Sequence, residues 1–152
     1  MKVIREATLE DLEQLVALGK EFINTSGLCE LAPYSEPYAK QVFKSMIRGS
    51  NSFVLVLELD NRLAGFCGGK VGKFIFSNVG LSGQEDFFWI TPAKRGLWGS
   101  KFLQAMEDKA ASLGCTLWSM VSLEMQRPDA AAKFYKRKGY EPLEYRFCKK
   151  LA

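Results

Sequence analysis

The run Phe87-Phe88-Trp89-Ile90-Thr91-Pro92-Ala93-Lys94-Arg95-Gly96-Leu97-Trp98-Gly99-Ser100 constrains this chain more than any other stretch. An apolar, strand-like segment breaks at Pro92 and passes through a basic turn that carries two glycines. Beyond it, Phe102, Leu103, Met106, Ala110 and Leu113 trace the apolar stripe of a helix that ends at Gly114. The order is strand, turn, helix N-terminus.

That order has a chemical consequence. The first-turn amides of a helix lack carbonyl partners and carry partial positive charge, and a glycine-bearing turn lets an anion approach bare backbone. Lys94, Arg95 and Lys101 add positive side chains, so the turn reads as a site for pyrophosphate or another polyanion. Neither GxxxxGK[ST] nor GxGxxG is present.

Arg95-Gly96-Leu97-Trp98-Gly99-Ser100 resembles the [QR]-x-x-G-x-[GA] acetyl-CoA turn of the GNAT (GCN5-related N-acetyltransferase) family. Trp98 stands where glycine is usual and Ser100 where glycine or alanine is usual, with Gly99 between them. The segment 129 to 141, with Ala131, Phe134, Tyr135, Gly139 and Tyr140, resembles the family's late helix, N-x-x-A-x-x-[FL]-Y, followed by glycine and an aromatic. The asparagine is absent, and Arg127, Pro128 and Asp129 occupy its neighbourhood.

The resemblance to a compact bacterial or phage-type member implies a mixed α/β fold. Its features are a central mixed sheet with splayed parallel strands, about four flanking helices, and one domain over 1 to 152. The strands ending near Ile90 and Leu123 would form the cleft. Pantetheine would pair with backbone around Trp89 and Ile90. Residues Arg95, Gly96, Leu97, Trp98, Gly99 and Ser100, flanked by Lys94 and Lys101, would hold the pyrophosphate, and Asp129 joins the cofactor-binding set. The implied partners are acetyl-CoA and an amine acceptor, either a small molecule or a protein, and a homodimer stays open.

Histidine is absent. Every His-dependent triad is therefore excluded, and catalysis near neutrality falls to carboxylate, Tyr, Cys, Lys or bound water. By resemblance Tyr135 is the phenolic acid that protonates the departing thiolate, and the backbone N–H near Ile90 is the oxyanion donor. The candidate bases are Asp86, favoured by the family's placement, Glu85 beside it, and Glu124 after the next strand, with a water-mediated route also open. Successive strand residues point to opposite faces, so Glu85 and Asp86 are not both expected in the cleft. Trp98 reads as a shield, an adenine-stacking ring, a partner contact or a core side chain.

With 152 residues, 47% of them hydrophobic, the chain is long enough for a sizeable core. It shows no membrane-span run and no signal-peptide layout, so a cytoplasmic protein without a membrane partner is expected. The cysteines at 29, 67, 115 and 148 form no CxxC pair, so neither zinc nor a disulfide scaffold is expected. They read as small buried residues, with Cys67 the first to test as an acyl-carrying nucleophile. Net charge is +4, with eight basic and three acidic residues in 127 to 152. No recognition motif accompanies that charge, so nucleic acid is not the expected partner.

Along the chain, strand residues 3 to 7 precede a helix capped by Thr8 with Asp11, followed by a loop over 24 to 34. A helix over 36 to 48 starts behind Ser35 and Pro37, and in the family this region shapes the acceptor pocket. Strands 52 to 59 and 62 to 76 flank a turn at Asp60-Asn61, with a bulge or close approach at Gly68-Gly69. A loop over 77 to 84, strand 86 to 91, strand 115 to 123, helix 128 to 138 and terminal strands over 140 to 150 complete the order. The expected activity is acetyl-CoA-dependent N-acetylation of a primary amine in a ternary complex. The alternative is a CoA-binding or protein-interaction module that has lost turnover.

Overall fold

The computed structural model describes residues 3–123 and 127–152. Contacts group the chain into two compact units, Met1–Val121 and Ser122–Ala152. The first holds β1 (Ile4–Glu6), α1 (Leu12–Ser26), α2 (Glu36–Arg48), β2 (Ser52–Leu59), β3 (Arg62–Gly72), β4 (Leu81–Ile90), α3 (Arg95–Ser112) and β5 (Cys115–Ser119). The second holds α4 (Pro128–Arg137).

The five strands lie in the order β1-β2-β3-β4-β5. The first three pairings are antiparallel and β4–β5 is parallel. Strand residues alternate between faces, and β2 shows it plainly: Val54 and Val56 pack with Phe66, Trp89 and the apolar stripes of α1 and α2. Phe53, Leu55 and Leu57 point the other way, toward Cys67, Ile90 and the Phe102, Met106 and Ala110 face of α3. Phe66 and Phe102 are fully buried, one on each side of the sheet. Each contributes about 1.5–3 kcal/mol of apolar burial.

Local chemistry explains the ends of the elements. At the entry to α1, the Thr8 N–H donates to Asp11 Oδ2 at 2.7 Å, and Arg5 grips both oxygens of Asp11 at 2.8 and 3.0 Å. Burial opposes the charge on Asp11, but these bonds outweigh it and hold the carboxyl below its usual range. Gly27, at φ 80°, closes α1 in the left-handed region. Ser35 caps α2 by accepting from the Tyr38 N–H, with Pro37 in the first turn. Asp60 and Asn61, at φ 52° and 61°, make the two-residue turn between β2 and β3 with positive φ at both positions.

The expected irregularity at Gly68-Gly69 is a bulge on the facing strand. Gly68 pairs with Phe87 and Gly69 with Glu85, leaving Asp86 unopposed. A Cβ at Gly69 would run into the Gln84 carbonyl and the Trp118 ring.

Four expected boundaries change. β3 stops at Gly72, and Phe74, Ile75 and Phe76, strand-like in composition, are exposed. β4 starts at Leu81 inside the expected loop, because Leu81 pairs with Cys115, a partner remote in sequence. β5 ends at Ser119 rather than 123. Residues 138 to 152 contain no strand; Leu143, Tyr145 and Phe147 alternate as a strand would but are exposed, and alternation alone makes no ladder.

Gly69→Ala is expected to lower unfolding free energy by about 1–3 kcal/mol, because the atom it meets first is backbone and has no rotamer to yield. Urea denaturation of the two proteins measures it.

Candidate active site

β4 and β5 pair from Leu81↔Cys115 to Gln84↔Ser119 and no further. Among the described residues, the strand ladder of β4 from residue 85 to 90 runs to β3 alone. The Thr91 N–H donates to the Ala64 carbonyl at 2.8 Å. The antiparallel alternation then turns the backbone groups of Trp89 and Phe87 toward β3, and those of Phe88 and Ile90 outward. Backbone pairing with a ligand, expected around Trp89 and Ile90, is therefore open at Phe88 and Ile90. Trp89 commits its backbone to β3 and its ring, 3% exposed, to the core. Sequence reading missed Phe88, because the period of two gives no phase until one ladder bond is known.

The turn expected after β4 is helical from its start. Pro92–Lys94 forms a 3-10 turn that runs directly into α3, so residues 95 to 100 are its first turns. The Lys94 N–H donates to the Thr91 carbonyl at 2.9 Å, and the Arg95 N–H donates to the Pro92 carbonyl. A Cβ at Gly96 or Gly99 would meet no described atom within 4 Å, so both glycines border open space, and Leu97 is exposed.

The basic side chains are more committed than their sequence implied. Arg95 Nε donates to the Ile90 carbonyl at 2.8 Å, and its guanidinium lies 4.3 Å above the Trp89 ring. Burial lowers its pKa, with the charge of Glu21 opposing. Lys101 Nζ sits 5.1 Å over the ring of Trp98. Trp98 itself packs half-buried against the α3-side core.

The two described carboxylates separate at the bulge. Glu85, 6% exposed, accepts the Val121 N–H on Oε1 at 3.1 Å. Burial pushes its pKa up to about 7; the Asp86 charge adds to the rise and the Val121 bond opposes it. Asp86 is exposed, with Oδ2 3.5 Å from Lys70 Nζ. Lys70 also lines an open groove of about 260 Å³ with Tyr38, Gln41, Val42, Ser45 and Met46. Glu124 lies outside the described residues. Cys67 is fully buried, and burial, aided by the Glu85 charge, pushes its thiol well above the usual range. It is a core thiol, unsuited to carrying an acyl group.

In the second unit, Tyr135 lies on α4 with its ring 5.6 Å from those of Phe134 and Tyr140. The Tyr140 N–H donates to the Tyr135 carbonyl at 3.0 Å, and Asp129 occupies the first turn. Among the described residues no group of three or more His, Cys, Asp or Glu side chains is arranged to hold a metal, and no helix is long and apolar enough to cross a membrane.

A sheet whose parallel pair separates above a helix N-terminus matches a known architecture. The Acetyltransferase (GNAT) family model aligns with residues 19–140. The chain belongs to this family. Among solved structures, this GNAT chain is similar to a transcriptional regulator from Bacillus halodurans C-125, at 25% identity and TM-score 0.73, covering 95% of this chain and 98% of that one. A predicted acetyltransferase with acetyl-CoA from Clostridium acetobutylicum shares 17% identity at TM-score 0.77, over 97% and 95% of the two chains. Glucosamine-6-phosphate N-acetyltransferase from Arabidopsis thaliana shares 18% at TM-score 0.69, over 98% and 97%. At these identities the last two speak to fold alone. Among curated protein sequences none matches significantly.

Glu85 also makes a stability prediction for the GNAT chain. Its folded pKa, about 7, lies above the 4.5 of a free side chain, so the folded state holds the proton more tightly. The associated stability is complete below about pH 4.5 and is lost as pH rises through 7. Glu85→Gln keeps an acceptor for Val121 but does not ionise. It should therefore gain on the wild type by up to about 3 kcal/mol between pH 4.5 and 8, read from denaturation midpoints across that range.

Proposed function

We propose that this protein transfers an acetyl group from acetyl-CoA to a primary amine by direct attack in a ternary complex. The observation that carries the reading is the outer edge of β4. There, among the described residues, no strand neighbours the outward groups of Phe88 and Ile90, and the chain runs within a few residues into a helix N-terminus whose glycines border open space. These features fit an extended diamide chain ending in a pyrophosphate. The backbone of residues 95 to 100, with the side chains of Lys94 and Lys101, is the proposed pyrophosphate cradle, and Asp129 stays in the cofactor set by resemblance alone.

The bound thioester supplies the acetyl group. The Phe88 N–H, the outward amide on the Glu85 side of Ile90, is assigned to the acyl oxygen, where negative charge develops, and the Ile90 N–H to a carbonyl of the diamide arm. Glu85, whose pKa of about 7 suits proton transfer near neutrality, is assigned the amine proton, through the oxygen not held by Val121. Tyr135 is assigned the proton given to the departing thiolate, on the resemblance of its helix. The groove along α2, lined by Tyr38, Gln41, Ser45 and Lys70, sits on the Asp86 face of the sheet, the acceptor side that an Asp86 base requires.

Thiol release from acetyl-CoA is the test, run against a panel of protein lysine, N-terminal peptide, aminoglycoside, polyamine and amino acid, beside a thermal shift with CoA. Turnover with any amine supports transfer; stabilisation by CoA without thiol release on the whole panel supports the binding module. Tyr135→Phe should lower kcat by about 10²-fold with CoA affinity retained, measured where chemistry limits the rate.

The base has its own signature. Glu85→Gln should remove the acidic limb near pH 7 from the kcat/KM profile, and Asp86→Asn should keep it. The reverse pattern would assign the base to Asp86, and an intact limb in both would move proton removal to Glu124 or to water.

A further inference from the structure

We infer that Arg95 is a positioning residue that locks the end of the β4 edge, and that it is not primarily a phosphate contact. The inference rests on the acyl-CoA reading above for its ligand, but its geometry stands by itself. The peptide unit joining Ile90 to Thr91 is held from both edges of the strand. Its N–H donates to the Ala64 carbonyl on β3 at 2.8 Å, and its C=O accepts from Arg95 Nε on the outer side, also at 2.8 Å.

The guanidinium that makes the second bond is itself fixed. One face lies 4.3 Å from the centre of the Trp89 ring, and that ring is buried against Phe22, with centroids 5.7 Å apart. Arg95 therefore commits its Nε and one planar face to the scaffold. Lysine, a point charge on a flexible stem, reproduces neither contact.

The outer edge of β4 thereby acquires a stop. Its outward groups are the N–H and C=O of Phe88 and the N–H and C=O of Ile90, and the last carbonyl is already occupied. A ligand chain adding along this edge finds Ile90 N–H as its final vacant group. It cannot slide toward α3, because the next acceptor is spent. Arg95 thus sets the register of the bound chain, and with it which ligand carbonyl meets the Ile90 N–H.

A donor without phosphates separates the two roles. S-acetylpantetheine carries the diamide arm and thioester of acetyl-CoA but no phosphate or nucleotide. For Arg95→Lys and Arg95→Met, kcat/KM should fall about tenfold with acetyl-CoA, the scale of one lost charged hydrogen bond, and by the same factor with S-acetylpantetheine. Loss with acetyl-CoA alone would overturn the inference and make Arg95 a phosphate ligand. Loss with neither donor would overturn it as well.

Amide hydrogen exchange supplies a readout that needs no donor. The Thr91 N–H should exchange faster in both variants, while the amides of β1, on the opposite edge of the sheet, exchange as in the wild type. Unchanged Thr91 protection overturns the lock. A wild type that uses neither donor refutes the acetyl-transfer reading and still leaves Thr91 exchange to decide whether the edge is locked.

Discussion

The parallel pairing of β4 with β5 holds from Leu81 to Gln84 and then stops, and the candidate site follows from where it stops. Two residues later the bulge at Asp86 bends β4 and strengthens its local twist. At the same point the Glu85 side chain reaches across and accepts the Val121 N–H. A side chain thus replaces a ladder bond at the apex of the opening. The cost is a carboxyl kept out of water with one bond from the Val121 amide, and the raised pKa expresses that cost.

Packing on the two sides of the opening follows the same logic. Gly69 and Gly83 thin the sheet, so the indole of Trp118 lies against backbone; a Cβ at Gly83 would come within 2.6 Å of that ring. On the opposite face, Phe22, Phe43, Phe66, Phe87 and Trp89 meet largely edge-on or tilted. Such aromatic pairs each add about 0.5–1.5 kcal/mol beyond area burial. This layer is the floor beneath the β4 edge, and Arg95 closes its rim.

What could be read from the sequence was mostly local. Ser35 and Pro37 place the start of α2, Asp60-Asn61 marks the hairpin, and the Gly68-Gly69 pair signals the bulge, because each acts through its own backbone or its immediate neighbours. The strand-to-helix run from Phe87 to Ser100 points to the family for the same reason. The start of β4 was not legible, since its partner Cys115 is more than thirty residues away. Strict alternation separates Glu85 from Asp86 but cannot say which is buried; the bulge decides that. Nor does composition reveal that Arg95 is spent on Trp89 and Ile90, because a basic residue beside glycines looks the same whether its side chain meets solvent or an indole.

Three tryptophans occur in the chain, at 89, 98 and 118. Trp89 lies beneath Arg95, its ring nitrogen buried and without a hydrogen-bond partner among the described residues. Trp98 belongs to the first turns of α3, and Trp118 to the strand that parts from β4. All the indole emission of this protein therefore originates around the opening. The chain carries its own optical probe, in which a change in colour or intensity reports first on that neighbourhood.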